Sequence, residues 1–305
     1  MQTLIIGAGA MGCLFGGLLA EAGKKVQLLD RWQEHVDVLN RRGLTIVTGE
    51  KERTVAVQAF TDPDQLARPE LIIIFVKHGQ TGAAARIAAT LLQEDTVVLT
   101  LQNGMGNGEL IGDIVGRERV ICGTTAQGAM RLGPGRIQHS GTGQTIIGYL
   151  EQRDSTGTLP RVAELFGSAS IDTGTSDNIL PVLWNKLLVN VGINAITALT
   201  GIRNGQLTDL ELTRKLAGAA VLEARAVAGR LGIKTVADPV NHVLEVARAT
   251  AANRSSMGQD VDHRRKTEIM AINGYVVAMA KQLGMEVPVN TTLTALIRTL
   301  EEHYR

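Results

Sequence analysis

The stretch Thr3-Leu-Ile-Ile-Gly-Ala-Gly-Ala-Met-Gly12 decides how the N-terminal half of this chain is read. Thr3-Leu-Ile-Ile6 predicts a short apolar strand ending at Gly7. Gly7-Ala8-Gly9-Ala10-Met11-Gly12 then matches G-x-G-x-x-G, and Ala10 to Ala22 continues with helical spacing until Gly23. The pattern alone is weak; between a strand and a helix it reads as a dinucleotide-binding turn. Gly7 permits the tight turn, Gly9 lets a pyrophosphate approach the backbone, and Gly12 lets the helix pack closely on the sheet. The helix N-terminus favours the anionic phosphates. All six residues, Gly7 to Gly12, are candidate cofactor-binding positions.

Outward from this turn, Lys25–Asp30, Leu71–Val76 and Thr96–Leu101 are further strands, with helical stretches between them. The continuous apolar run at 71–76 fits a strand covered on both faces. The alternation implies βαβ units and a parallel sheet. Arg136–His139 and Thr145–Leu150 read as antiparallel strands added to the sheet edge. After about Thr175 helical patterns dominate, over Ile179–Thr200, Leu210–Leu231, Pro239–Ala252, Thr267–Leu283 and Thr291–Tyr304. The expected fold is therefore α/β: an N-terminal Rossmann-type doubly wound sheet over residues 1–172, then an all-helical substrate domain over 173–305.

Length and composition agree. A chain of 305 residues suggests about two domains. With 44% hydrophobic and 20% charged residues it is not a disordered chain. A net charge of +1 and 3% aromatics argue against nucleic acid as the main ligand. The run Leu71–Val76 is too short to cross a bilayer, so no membrane role is expected. Cys13 and Cys122 form no C-x-x-C pair, which suits a reducing cytoplasm and gives no sign of a metal site.

Cofactor choice is read at the end of the second strand. Asp30 suits the ribose 2′-hydroxyl of NAD, whereas Arg31 could pair with the 2′-phosphate of NADP. Lys77, with His78, and Asn103, in Gln102-Asn-Gly-Met-Gly106, follow later strands, at the carboxyl ends where open α/β sheets bind ligands. Lys77 could meet a substrate carboxylate or the cofactor, and Asn103 could orient the nicotinamide or the substrate.

Within Leu183–Ala195, Lys186, Asn190 and Asn194 recur at every fourth position among apolar residues. That spacing lines up one gently winding stripe on a helix. Buried Lys and Asn are costly unless satisfied, so the stripe is expected to wall a cleft whose polar ligand supplies the partners. A lysine there suits carbonyl reduction, because an ammonium can stabilise a developing alkoxide and protonate it. Ser256 and Glu268 offer a hydroxyl and a carboxylate. A straight helix would hold them about 18 Å apart, so much of Ser256–Lys266 must be loop if both touch one small ligand.

The order Gly7–Gly12, Phe75-Val-Lys77, Gln102–Gly106, Trp184-Asn-Lys186…Asn190…Asn194, Asn204-Gly205, Ser255-Ser-Met and Thr267-Glu-Ile-x-x-Ile-Asn-Gly274 resembles the ketopantoate reductase family, from residue 1 to about 300. The resemblance implies a Rossmann domain followed by a helical domain. It implies NADPH-dependent reduction of 2-dehydropantoate to (R)-pantoate, a step toward pantothenate and coenzyme A. By it Lys186 is the general acid, Glu268 assists binding and catalysis, and Asn190, Asn194 and Ser256 hold the substrate with Asn204 close by. Lys77 and Asn103 line the cofactor–substrate crevice, and Arg31 favours the 2′-phosphate. Asp30 departs from strict NADPH users and leaves NADH open; Met270 and Gly258 depart near the substrate residues. The alternative expectation is a D-2-hydroxyacid dehydrogenase on the same scaffold, acting on another 2-oxo acid, with NAD. A monomer or homodimer is expected.

Overall fold

The computed structural model describes residues 1–151 and 154–304. The chain divides into two compact units: Met1–Gln102 with Asn107–Ile179, and Asn103–Gly106 with the chain from Leu180 onward. The division at Ile179/Leu180 falls later than the expected 172/173, because the short strand Thr173–Thr175 still belongs to the first unit's sheet.

The first unit carries strands β1 (Thr3–Ile6), β2 (Val26–Leu29), β3 (Leu44–Thr48), β4 (Lys51–Val55), β5 (Gln58–Phe60), β6 (Leu71–Ile74), β7 (Val97–Thr100), β8 (Val120–Thr125), β9 (Gly128–Gly133), β10 (Arg136–Gly141), β11 (Thr145–Tyr149) and β12 (Thr173–Thr175). Eight form one sheet in the order β12-β11-β8-β7-β6-β1-β2-β5, and β4-β3-β10-β9 form a second. From β5 through β8 every pairing in the large sheet is parallel. Strands β1, β2 and β6 are buried along their whole length, as in strands covered on both faces; β6 is apolar throughout, whereas β1 and β2 also bury Thr3 and Gln27.

The register brings four strand ends level. Ile6 pairs with Leu29 on one side and Ile74 on the other, and Ile74 pairs with Thr100. The chain runs from β1 to β2 on one flank and reaches β6 on the other, so strand order reverses beside β1. Ligands of open α/β sheets bind at such a reversal.

One edge expectation holds and the other is corrected. Strand β11 pairs antiparallel with β8 in the large sheet. Arg136–Gly141 instead lies in the small sheet, antiparallel to β9 and parallel to β3. Helix Ala10–Glu21 lies between the sheets. An added Cβ on Gly12 would stand 3.2 Å from Ile5 of the large sheet, and one on Gly17 would stand 2.7 Å from Leu44 of the small sheet. The glycines of this helix thus serve packing on two sides.

The second unit is helical: Leu180–Thr200, Asn204–Asp209, Glu211–Arg230, Pro239–Ala249, Ser256–Asp262, Asn273–Gln282 and Pro288–Glu302. Helix Leu180–Thr200 is its core, packed by Glu211–Arg230, Pro239–Ala249, Ser256–Asp262 and Pro288–Glu302. By length and composition this core helix could cross a bilayer, but 78% of its most apolar 18-residue window is buried inside the protein. The predicted helix from Thr267 begins at Asn273, after a 3₁₀ turn at Ile269–Ala271, and Ser256–Asp262 is helical where loop was expected.

Candidate active site

In the first unit the site is made of backbone. Gly7 has φ +101°, a conformation that side chains with a Cβ rarely adopt. A Cβ on Gly12 would stand 1.9 Å from the Gly7 carbonyl oxygen, so turn and helix start are compatible only with glycine there. Gly9 is the opposite case: a Cβ would meet nothing within 4 Å. That open shell around Gly9 is what a closely approaching pyrophosphate needs. The helix start carries no side-chain cap and no acidic residue in its first turn. Its free N–H groups and dipole suit an anion. The residues present therefore fit a dinucleotide phosphate.

His35 supports this turn from below. Its Nδ1 accepts from the Gly135 N–H at 2.9 Å, which leaves Nε2 to donate to the Ala8 carbonyl at 2.9 Å. The ring is buried and neutral, and burial lowers its pKa. One residue thus ties the glycine turn to the bend between β9 and β10. The Cys13 thiol also donates to the Ala8 carbonyl, at 3.1 Å, and burial followed by the charge of Asp30 pushes its pKa up to about 12, so it is inert. The sequence reading gave His35 no role beyond membership of no metal cluster; its signal is tertiary, because Gly135 lies one hundred residues away.

At the end of β2, Asp30 accepts from the Trp32 N–H at 3.0 Å, and Arg31 is exposed. Lys77 precedes a 3₁₀ turn after β6 and is exposed. Gln102 donates to the Val76 carbonyl at 2.6 Å and to the Thr81 hydroxyl at 2.9 Å, binding the ends of β6 and β7 together. Asn107, which the sequence reading overlooked, accepts from His78 Nδ1 at 2.8 Å and from the Thr81 hydroxyl at 3.0 Å. Asn103 belongs to the second unit. The Met105 N–H donates to the Ala271 carbonyl at 2.8 Å, and Gly104, at φ +83°, admits that carbonyl where a Cβ would clash at 2.3 Å.

The second unit's own candidate residues include side chains on the core helix. Lys186 is partly buried, and burial alone lowers its pKa. It forms no ion pair or hydrogen bond within the described residues. Asn190 and Asn194 are 8% and 5% exposed, and the Asn190 Nδ2 group has no partner. Asn204 donates to the Thr250 hydroxyl at 3.0 Å while its own Oδ1 has no partner. Two of the candidate substrate residues therefore carry buried unmet polar groups, of opposite hydrogen-bonding sense. Each such group is a hydrogen-bonding position that a polar ligand can fill.

Neighbouring elements close on the middle of this helix. Ser255 caps helix Ser256–Asp262 by accepting from the Gly258 N–H at 3.0 Å, and it accepts from Thr197 at 2.7 Å. That leaves Ser256 exposed on the first turn, free of structural work. Asn273 donates to the Val191 carbonyl at 3.4 Å, bringing the segment after Glu268 beside Asn190 and Asn194. Glu268 is 8% exposed, whereas Arg264, Arg265 and Lys266 are solvated. Glu268 is thus set apart from the charge run before it. Among the described residues no group of three His, Cys, Asp or Glu could hold a metal ion.

Comparison with known proteins places the chain in a family. The model of the family "Ketopantoate reductase PanE/ApbA" matches residues 3–152, and that of its C-terminal domain matches residues 178–301. A 2-dehydropantoate 2-reductase from Pyrococcus abyssi is 38% identical, over 99% of this chain and 98% of that protein. Among solved structures, a PanE/ApbA family ketopantoate reductase from Ralstonia eutropha JMP134 superposes with TM-score 0.92 at 32% identity, over 100% of this chain and 99% of that one. A D-mandelate dehydrogenase solved with NADH and anilino(oxo)acetate also reaches TM-score 0.92, at 28% identity and with the same coverage. The chain belongs to the ketopantoate reductase family.

Proposed function

We propose that this protein reduces 2-dehydropantoate to (R)-pantoate with NADPH, Lys186 acting as general acid. The observation that carries the reading is the stripe on the core helix: an ammonium without an ionic partner, in line with asparagines of which one has an unmet buried donor. A bound reduced nicotinamide supplies the hydride to the carbonyl carbon. The chain's own work is to hold the oxo acid and to place a proton at the carbonyl oxygen. An ammonium whose pKa is lowered by burial gives up its proton more readily than an ordinary lysine. It also stabilises negative charge on that oxygen before the proton moves.

Asn190 and Asn194 orient the substrate by donating to its oxygens, and the exposed Ser256 hydroxyl adds a further contact. Asn204 offers an acceptor, and Glu268 accepts from the substrate hydroxyl. Gly7, Ala8, Gly9, Ala10, Met11 and Gly12 receive the cofactor pyrophosphate. Arg31 meets its 2′-phosphate, and Lys77 and Asn103 complete cofactor and substrate binding. In this reading the enzyme serves pantothenate and coenzyme A synthesis in the cytoplasm, where its two free, buried cysteines stay reduced.

A second reading has its own support. The likeness to a D-mandelate dehydrogenase solved with NADH, together with Asp30 after β2, favours a D-2-hydroxyacid dehydrogenase using NADH. Steady-state kinetics with 2-dehydropantoate against a panel of 2-oxo acids, each with NADPH and NADH, separate the two. The first reading expects the highest kcat/KM for 2-dehydropantoate with NADPH. A higher value for another oxo acid with NADH replaces it with the second.

A further inference from the structure

The end of β2 is not reached by Arg31 alone. Trp32 follows it, and Arg131, on β9 of the small sheet, lays its guanidinium 4.8 Å from the centre of the Trp32 ring. The other neighbour of that ring is His35, stacked at 5.3 Å with an interplanar angle of 10°. His35 in turn grips the Ala8 carbonyl of the glycine turn and the Gly135 N–H beside β9. Trp32 thus contacts both Arg131 and His35, and His35 is hydrogen-bonded to the nucleotide turn. Arg131 has no carboxylate partner among the described residues, and Arg31 is likewise unpaired. Asp30, the acid that would favour an unphosphorylated ribose, has one carboxylate oxygen engaged by the Trp32 N–H.

A guanidinium held near an indole face keeps its N–H edge available for a second partner. That fork matches two oxygens of a phosphomonoester, which carries about two negative charges at neutral pH. We propose that Arg131, held on Trp32, is a second cation beside Arg31 for a phosphate on the 2′-oxygen of the cofactor ribose, and so a determinant of NADPH over NADH. This rests on the dinucleotide reading above and adds a residue from a different sheet. The small sheet, on this view, is part of the cofactor site as well as a cover for helix Ala10–Glu21.

The test measures binding of 2′,5′-ADP and 5′-AMP by calorimetry, with circular dichroism to confirm folding. The wild-type protein is expected to bind 2′,5′-ADP more tightly than 5′-AMP. Arg131→Ala should weaken 2′,5′-ADP at least tenfold more than it weakens 5′-AMP, and Arg131→Lys should recover part of the loss. Trp32→Ala should give a smaller loss of the same kind, with Trp32→Phe closer to wild type. Equal weakening of both nucleotides by Arg131→Ala, or no change in either, overturns the proposal. So does a wild type that prefers 5′-AMP. Failure of the substrate reading is distinguishable: the nucleotide pattern would stand while 2-dehydropantoate goes unreduced. A wild type that binds neither nucleotide would overturn the dinucleotide reading itself.

Discussion

The glycine turn of the first unit and the asparagine stripe of the second solve opposite problems. In the turn every supporting group is satisfied internally: His35 and Cys13 both serve the Ala8 carbonyl, and the shell around Gly9 is open. In the stripe, polar side chains are buried and some of their hydrogen-bonding capacity is left unmet. The difference teaches what each half is suited to recognise. Backbone N–H groups recognise the phosphates that dinucleotides share. Unmet side-chain groups suit recognition of one particular small molecule, at a cost in stability to the protein alone.

The largest effect that could break this comparison is at Lys186. Lys186→Ala should lower kcat by about 10²–10⁴-fold, the usual contribution of a positioned general acid. Dinucleotide affinity should fall far less, since the turn is built elsewhere; an equal loss of cofactor binding would contradict the acid role. The same residue sets a pH dependence. A general acid acts when protonated, and Lys186 is protonated below its lowered pKa, so kcat should fall as pH rises through a value under the ordinary lysine range. That alkaline limb should be missing from the residual activity of Lys186→Ala.

Next in size is Gly12→Ala. The new methyl would stand 1.9 Å from the Gly7 carbonyl oxygen, so turn and helix must part. We expect a loss of about 1–3 kcal/mol in urea unfolding and at least tenfold weaker cofactor binding. Asn190→Ala sharpens the contrast from the other side. Its Nδ2 group has no partner to lose within the protein, so the urea midpoint should hold. The substrate KM should rise about 10–100-fold, the worth of about 1–3 kcal/mol for a donor facing a desolvated ligand oxygen. A fall in stability without a change in KM would make Asn190 structural.

The smallest effect concerns His35. Its folded pKa lies below the ordinary value of 6.5, because burial disfavours the imidazolium. Below that value the unfolded chain takes up a proton that the folded ring resists. Stability should therefore decline as pH falls through this window, by at most about 1.4 kcal/mol per pH unit from this one site. Urea unfolding across the acid range should show that slope in the wild type and a flatter one in His35→Gln.

Some of this molecule can be read along the chain. The strand–turn–helix at Thr3–Gly12 and the apolar strands at β2, β6 and β7 are local patterns, and their burial on both faces follows from composition. The polar stripe at Lys186, Asn190 and Asn194 needs only the helical repeat. Ser255 and Ser256 are less legible: adjacent in sequence, one is spent on Thr197 and the Gly258 N–H while the other faces outward. Only the surrounding helices decide which serine is free.

What the chain alone determined is local pattern: short apolar runs for the buried strands, helices of period near 3.6, and a glycine spacing that admits a phosphate. What the tertiary structure decided is partnership. The parallel pairing of β10 with β3, the contact of His35 with Gly135, the seating of Asn103–Gly106 against Ala271, and Arg131 over Trp32 all join residues far apart in sequence. No local propensity encodes such a meeting, because it depends on the combined burial of many other side chains.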